Sequence, residues 1–284
     1  MTAGTPGGRL VLVSTPIGNL GDLSSRAVDV LARADIVCCE DTRRVRALLS
    51  AAKVAAGRRL VALHGHNEAA RTAQVLGWVR EGRTVALVSD AGTPGISDPG
   101  ARLVAAAHDA GLAVTVVPGP SAAVAALVVS GLPTDRFCVE GFLPRKGADR
   151  RRRLEALAAE QRTAVLFESA VRLGATLAEL AVACGAGRPV AVARELTKLH
   201  EEVWRGSLGE AAARFGEGPV RGEVVIVLGG APAPAATADD VAGAVAARLA
   251  AGDRPRQAAD AVARSLGVPR RRAYAAALEA QRAR

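Results

Sequence analysis

Four short polar clusters carry most of the reactive side chains of this Ala-rich chain. They are Glu40-Asp41-Thr42-Arg43-Arg44, His64-Gly65-His66-Asn67-Glu68, Phe167-Glu168-Ser169 with Arg172, and Arg194-Glu195-Leu196-Thr197-Lys198. Taken singly, each has an ordinary structural use, since Asp41, Thr42 and Asn67 are natural helix caps and Glu168 and Glu195 natural ion-pair partners. His64 and His66 have no third ligand near in sequence, so the spacing predicts no metal site. Three further segments combine Gly with Pro: residues 15–20 (TPIGNL), 90–95 (DAGTPG) and 118–121 (PGPS). None reads G-x-G-x-x-G or G-x-x-x-x-G-K-[ST] and none contains lysine, which argues against a dinucleotide enzyme or a P-loop NTPase. Such loops with a carboxylate at Asp90 suit a pocket in which backbone closely approaches a flat, polar, neutral or cationic ligand.

The elements that must position these residues can be read from apolar runs. Residues 9–14, 35–39, 60–63, 84–89 and 112–117 are β-branched and apolar, and helical stretches separate them. That alternation predicts a mostly parallel sheet covered on both faces, over residues 1–118. After Pro133 the strand-like runs 137–141, 163–167, 190–194, 202–206 and 223–228 have some shorter connections, which predicts a second, mixed sheet over 119–229. The fold class expected is therefore α/β, as two domains with a cleft between them. The polar clusters and the Gly-rich loops all follow strands, so they gather on one edge of the two sheets. Residues 229–237 (GGAPAPAAT) read as a linker, and 238–284 as a small helical extension with segments 238–251, 256–266 and 270–283. The last two of these flank a GVP turn, a pattern shared by helix-turn-helix units and by plain helical caps.

Composition narrows the function further. Across 284 residues the formal net charge is +9 while aromatics make only 2%, which excludes a broad base-stacking sheet as the means of binding RNA. Only Lys53, Lys146 and Lys198 are lysines among the 37 basic residues, so a retained lysine is a candidate for a specific role. Arg145, Lys146, Arg150, Arg151, Arg152 and Arg153 form a basic tract, and the tail adds nine Arg against five acidic residues. Cys38, Cys39, Cys138 and Cys184 show no C-x-x-C spacing and read as small core residues in a reducing compartment. The run 110–134 lacks charge, yet Pro118 and Pro120 split it into a strand and a buried helix rather than a membrane span. With no secretory pattern before Pro16, a cytoplasmic location is expected.

The segments STPIGNLGDLSSRA, EDTR, HGHNE, VSDAGTPGISDPG, VPGPSA, GLPTDRFCVEGFLPRK, FESAVR and ARELTKLHEEVWRG, spread over residues 10–228, together carry a resemblance. The chain resembles the tetrapyrrole methylase superfamily, and within it the bacterial enzymes that 2′-O-methylate a cytidine of 16S rRNA. Gly65 departs from that pattern, which has an acidic or larger polar residue between the histidines. What the resemblance implies is a tetrapyrrole-methylase-like pair of α/β domains with S-adenosylmethionine in the cleft, a homodimer, and the small ribosomal subunit as substrate. By position it assigns the cofactor to Pro16, Asp90, Ala91, Gly92, Thr93, Ser121, Ala122, Phe167 and Leu196. Glu168, Glu195, His64 and a neutral Lys198 are the candidates to accept the ribose hydroxyl proton, with Lys198 alternatively holding a phosphate as a cation. The basic tract is the candidate RNA contact. Two alternatives are weaker: a methylase of small molecules such as tetrapyrroles does not need the Arg tract, and a non-catalytic RNA-binding assembly factor does not need intact loops at Asp90 and Ser121.

Overall fold

A computed structural model describes residues 7–57, 59–218, 220–232 and 236–282. The first five apolar runs form β1 (Arg9–Val13), β2 (Ile36–Cys39), β3 (Leu60–Ala62), β4 (Thr84–Val88) and β5 (Ala113–Val117). They pair in parallel in the order β3-β2-β4-β1-β5. Helices α1 (Ser25–Arg33), α2 (Thr42–Ala51), α3 (Glu68–Arg80) and α4 (Ala101–Asp109) make the crossovers. Side chains alternate along β1, with Val11 and Val13 packing on Leu31 of α1 and Leu49 of α2, while Leu10 packs oppositely on Val75 of α3 and Leu103 of α4. Both faces are thus buried, which is why these strands read as unbroken apolar runs.

Helix α5 (Ala122–Ser130) leads into the second sheet, built of β6 (Phe137–Phe142), β7 (Thr163–Ser169), β8 (Pro189–Arg194), β9 (Glu202–Ser207) and β10 (Glu223–Leu228). Its order is β6-β7-β10-β8-β9, with β6 parallel to β7 and the other pairs antiparallel. Helices α6 (Ala148–Ala159), α7 (Leu173–Cys184) and α8 (Leu208–Gly216) cover one face through Leu157, Leu177 and Phe215, and α5 covers the other through Ala123, Ala126 and Leu127. The expectation of a fully buried helix after Pro120 needs correcting, because Val128 on the outer side of α5 is 68% exposed. Only the alanine-rich side, small enough to lie close on the sheet, is covered.

Arg188, just before β8, is buried, and its guanidinium donates to the carbonyls of Gly229, Ala158, Leu157 and Glu160 at 2.6–3.3 Å. It therefore ties the C-terminal end of α6 to the residue that follows β10. Cys38 and Cys39 are buried in the first sheet, where loss of hydration pushes both thiols up to about 12.

Met1–Ala231 and Pro232–Arg284 are separate compact units. In the second, α9 (Ala238–Ala250), α10 (Pro255–Leu266) and α11 (Arg270–Arg282) pack around Val241, Val245, Ala259, Val262, Ala273 and Ala277. Gly267 at φ +62° ends α10. Of the expected linker 229–237, residues 233–235 lie outside the described residues. Among the described residues no helix is long and apolar enough to cross a membrane.

Candidate active site

The three Gly and Pro loops are fastened to one another at the carboxyl ends of β1, β4 and β5. Thr15 and Gly92 exchange backbone hydrogen bonds of 2.8 and 3.0 Å. The Thr93 hydroxyl donates to the Pro120 carbonyl at 3.1 Å and lies 3.2 Å from the Ser14 hydroxyl. Gly18 approaches the loop after β8 so closely that a Cβ there would stand 2.5 Å from Cγ of Lys198 and 2.9 Å from the Leu196 carbonyl. Glycine is thus what lets the first loop of one sheet meet a loop of the other.

Between the two sheets these loops floor a cavity of about 720 Å³. Asp90, Ala91, Gly92, Thr93, Ser121, Ala122, Phe167 and Leu196 all line it, together with Ile17, while Pro16 faces a shallower neighbouring hollow. The walls are apolar at Ala193 and Val225 and acidic at Asp90, Asp98 and Glu223, with Arg44 and Arg221 as the cations; Glu168 borders the cavity with its side chain buried. Asp90 accepts the Asp41 amide at 3.0 Å, and Arg44 stands 3.6 Å from its second oxygen. Burial raises the Asp98 carboxyl to about 6, helped by the negative charge of Glu40 and Asp90 and opposed by a hydrogen bond with Ser89. A concave site with this sign of charge suits a ligand carrying a positive centre.

Of the groups considered for proton transfer, Glu168 alone lines the cavity. Its buried carboxylate accepts the Ser169 amide and the Thr176 hydroxyl, each at 2.7 Å, and pairs with Arg172 at 2.5 Å. Lys198 donates to Glu195 at 2.7 Å and to Glu223 at 3.0 Å. Burial alone would lower its pKa, but those two carboxylates outweigh it and hold the ammonium above its usual value. A neutral Lys198 is thereby removed from consideration, and its role as a cation remains. Glu195 is held below its usual value, first by Lys198 and then by the Glu223 amide, so it is a poor proton acceptor. His64 sits in the turn after β3, where its Nε2 lies 3.1 Å from the Asn67 amide nitrogen, away from the cavity lining. Asn67 turns back to the His64 amide and the Ala62 carbonyl instead of capping α3, and Glu68 caps α4 through Gly100 and Leu103.

The basic tract divides in three. Arg150 points inward, against expectation, to Glu179, Thr176 and the Pro144 carbonyl. Arg152 pairs with Asp149, and Arg153 with Glu140. Arg145, Lys146 and Arg151 are exposed around a hollow between α6 and α7, and no ion pair is seen for them among the described residues.

Comparison with known proteins fixes the family. Residues 9–212 match the family model described as Tetrapyrrole (Corrin/Porphyrin) Methylases. A curated relative, "Ribosomal RNA small subunit methyltransferase I" of Mycobacterium tuberculosis (strain CDC 1551 / Oshkosh), is 50% identical over 276 residues, 97% of this chain and 96% of that one. The chain belongs to this family of methyltransferases. Solved structures agree with the fold: uroporphyrin-III-C-methyltransferase from Thermus thermophilus has a TM-score of 0.55 and 27% identity, over 78% of this chain and 94% of that one. A second structure of the Thermus enzyme, complexed with S-adenyl homocysteine, has a TM-score of 0.55 and 23% identity, over 78% of this chain and 97% of that one.

Among the lining residues of this methyltransferase not singled out from its sequence are Asp98, Phe142 and Glu223. Asp98 stands in the same SDAGTPGISDPG segment as Asp90, and a second carboxylate eight positions on was the available signal. Phe142, in FLPRK, and Glu223, at the start of β10, gave none.

Proposed function

We propose that this methyltransferase 2′-O-methylates the ribose of a cytidine in 16S rRNA of the small ribosomal subunit, as a cytoplasmic homodimer. S-adenosylmethionine is the methyl donor. The observation that carries the reading is a reversal of charge. In a chain of net charge +9, the carboxylates of Asp90, Asp98 and Glu223 outnumber the two arginines, Arg44 and Arg221, around the cavity, while Arg145, Lys146 and Arg151 project from the surface. An acidic cavity suits a cationic cofactor, an outward basic ridge suits an RNA backbone, and an anionic tetrapyrrole suits the cavity poorly.

The residues present fit this cofactor. Ala91, Gly92 and Ala122 leave backbone groups open to it, and Gly92, at φ +82°, holds a conformation that a larger residue would strain. When bound, the sulfonium supplies a methyl group already attached to a good leaving group. The protein's task is then to hold the hydroxyl oxygen in line with that bond and to exclude water, for which Ile17, Ala193, Leu196 and Val225 form the dry wall. Asp90 and Asp98 balance the positive charge, while Glu168 and Lys198, each already ion-paired, brace the strand ends that frame the cavity.

Parallel incubations with labelled S-adenosylmethionine and small subunits, free 16S rRNA or tetrapyrroles test the assignment. Label is expected on a cytidine ribose after nuclease digestion and mass spectrometry; label on a base, or on a tetrapyrrole alone, overturns it. Neutralising Arg145, Lys146 and Arg151 together is expected to make the salt dependence of RNA binding shallower by about two units of log–log slope, at roughly 0.7 per phosphate contact. Neutralising the internally paired Arg152 and Arg153 is expected to change that slope less, which a fluorescence-anisotropy salt titration measures.

The dimer is supported by exposed apolar residues on consecutive elements, Val116 of β5, Val124 and Val128 of α5, and Phe137 and Val139 of β6. Light scattering after size exclusion is expected to give twice the chain mass for the native protein and the chain mass for Val128→Glu.

A further inference from the structure

The cavity contains a close aromatic pair in a chain that has four phenylalanines in all: Phe142 and Phe167, with ring centroids 5.6 Å apart and planes tilted by 42°. Phe142 is 55% exposed at the cavity rim, and Val171, also on the rim, is 93% exposed. Both stand at the open lip, where a group entering from solvent meets them before the inner wall of Ile17, Ala193, Leu196 and Val225.

The backbone goes to some length to put Phe142 there. Strands β6 and β7 pair as Phe137 with Thr163 and Val139 with Val165, then skip Glu140 to pair Gly141 with Leu166 and Phe142 with Phe167. Parallel neighbours in register share a face, so Phe142 lies on the face of Phe137 and Val139. Strict alternation would instead have put it with Cys138, which packs into the core beneath α6 and α7. The one-residue bulge therefore re-aims a single side chain from core to cavity. Gly141 permits it: its φ is +66°, and a Cβ there would stand 3.0 Å from the hydroxyl of Ser97, itself at φ +61° on the cavity loop. Bulge and cavity loop are thus packed together.

We propose that Phe142 is the stacking surface for the target nucleobase, turned into the cavity mouth so that its ribose hydroxyl reaches the methyl group. The proposal rests on the RNA methylation reading above. It also narrows what the scarcity of aromatics means: one ring suffices for one nucleotide, because every base offers a face for stacking.

Phe142→Leu keeps the apolar contact and removes the aromatic face, whereas Phe142→Tyr and Phe142→Trp keep the face. The expected result is a loss in kcat/KM for RNA on the order of 10-fold to 100-fold for the leucine variant. Tyrosine and tryptophan are expected to stay within a few-fold of wild type, and calorimetric affinity for S-adenosylmethionine to be unchanged in all three. Wild-type kcat/KM in Phe142→Leu overturns the proposal, as does a parallel loss of cofactor affinity, which would place the ring against the cofactor instead. Failure of the wild-type protein itself to label RNA overturns the parent reading and is seen before any variant is compared.

Discussion

Asp98→Asn is expected to weaken S-adenosylmethionine binding at least about 10-fold at pH 8, as expected for loss of an interaction with a charged group, while the empty protein becomes more stable. The second half of that statement follows from the direction of the pKa change. Burial and the neighbouring Glu40 raise the Asp98 carboxyl from its ordinary value of 3.8 to about 6. A carboxyl whose folded value exceeds its unfolded one stabilises the fold in its protonated form. That contribution is fully present below the unfolded value and is lost as pH rises through about 6. At pH 8 the ionised group is therefore a strain on the empty cavity, relieved when a positive charge arrives. Thermal melts should show Asp98→Asn above wild type at pH 8 and level with it near pH 4. Titration calorimetry should show wild-type affinity falling as pH drops through the region of 6, with a flatter profile in the variant. Equal affinity of the two proteins at pH 8 would remove Asp98 from the cofactor's charge balance.

Arg188→Met is the second large effect, this time on folding. Four carbonyls converge on one buried guanidinium, and none of its hydrogen-bond partners is a carboxylate. Burial lowers its pKa, which shows the cost of keeping the charge there. What offsets that cost is the negative end of α6, where Arg188 reaches the Leu157, Ala158 and Glu160 carbonyls. Methionine fills similar volume but removes the charged donor from all four carbonyls and leaves those of Ala158 and Gly229 without a partner among the described residues, a loss of about 3–5 kcal/mol. The body should melt roughly 10 °C lower, which differential scanning calorimetry would register. Lysine at this position should recover only part of the loss, because a single ammonium cannot reach oxygens spread from Leu157 to Gly229.

The strands were legible because burial on both faces of the first sheet leaves runs such as RLVLV and TVALV without polar interruption. Their order was not, since nothing in EVVIVL says that it inserts between β7 and β8. At the site, loops such as DAGTPG announced themselves through Gly and Pro. Side chains whose role depends on distant partners did not. Lys198 reads as free until Glu223, 25 residues away, is brought beside it. Arg150 reads as part of a basic surface until Thr176 and Glu179 draw it inward. Phe142 gave no signal because alternation is the only rule a sequence offers for a strand, and the extra residue at Glu140 breaks that rule once.

Strand order in the second sheet also governs how the body is made. β10, the last strand along the body, is the central one, held between β7 and β8. Until it emerges during synthesis, the β6–β7 pair and the β8–β9 hairpin present unpaired edges to each other across an open slot. The nascent chain thus spends its most aggregation-prone interval with one sheet complete and the other split. Val225 and Glu223 arrive with β10 and line the cavity, so the pocket's last wall and the closure of the core come in a single late step. A chain cut short before residue 223 would lack both.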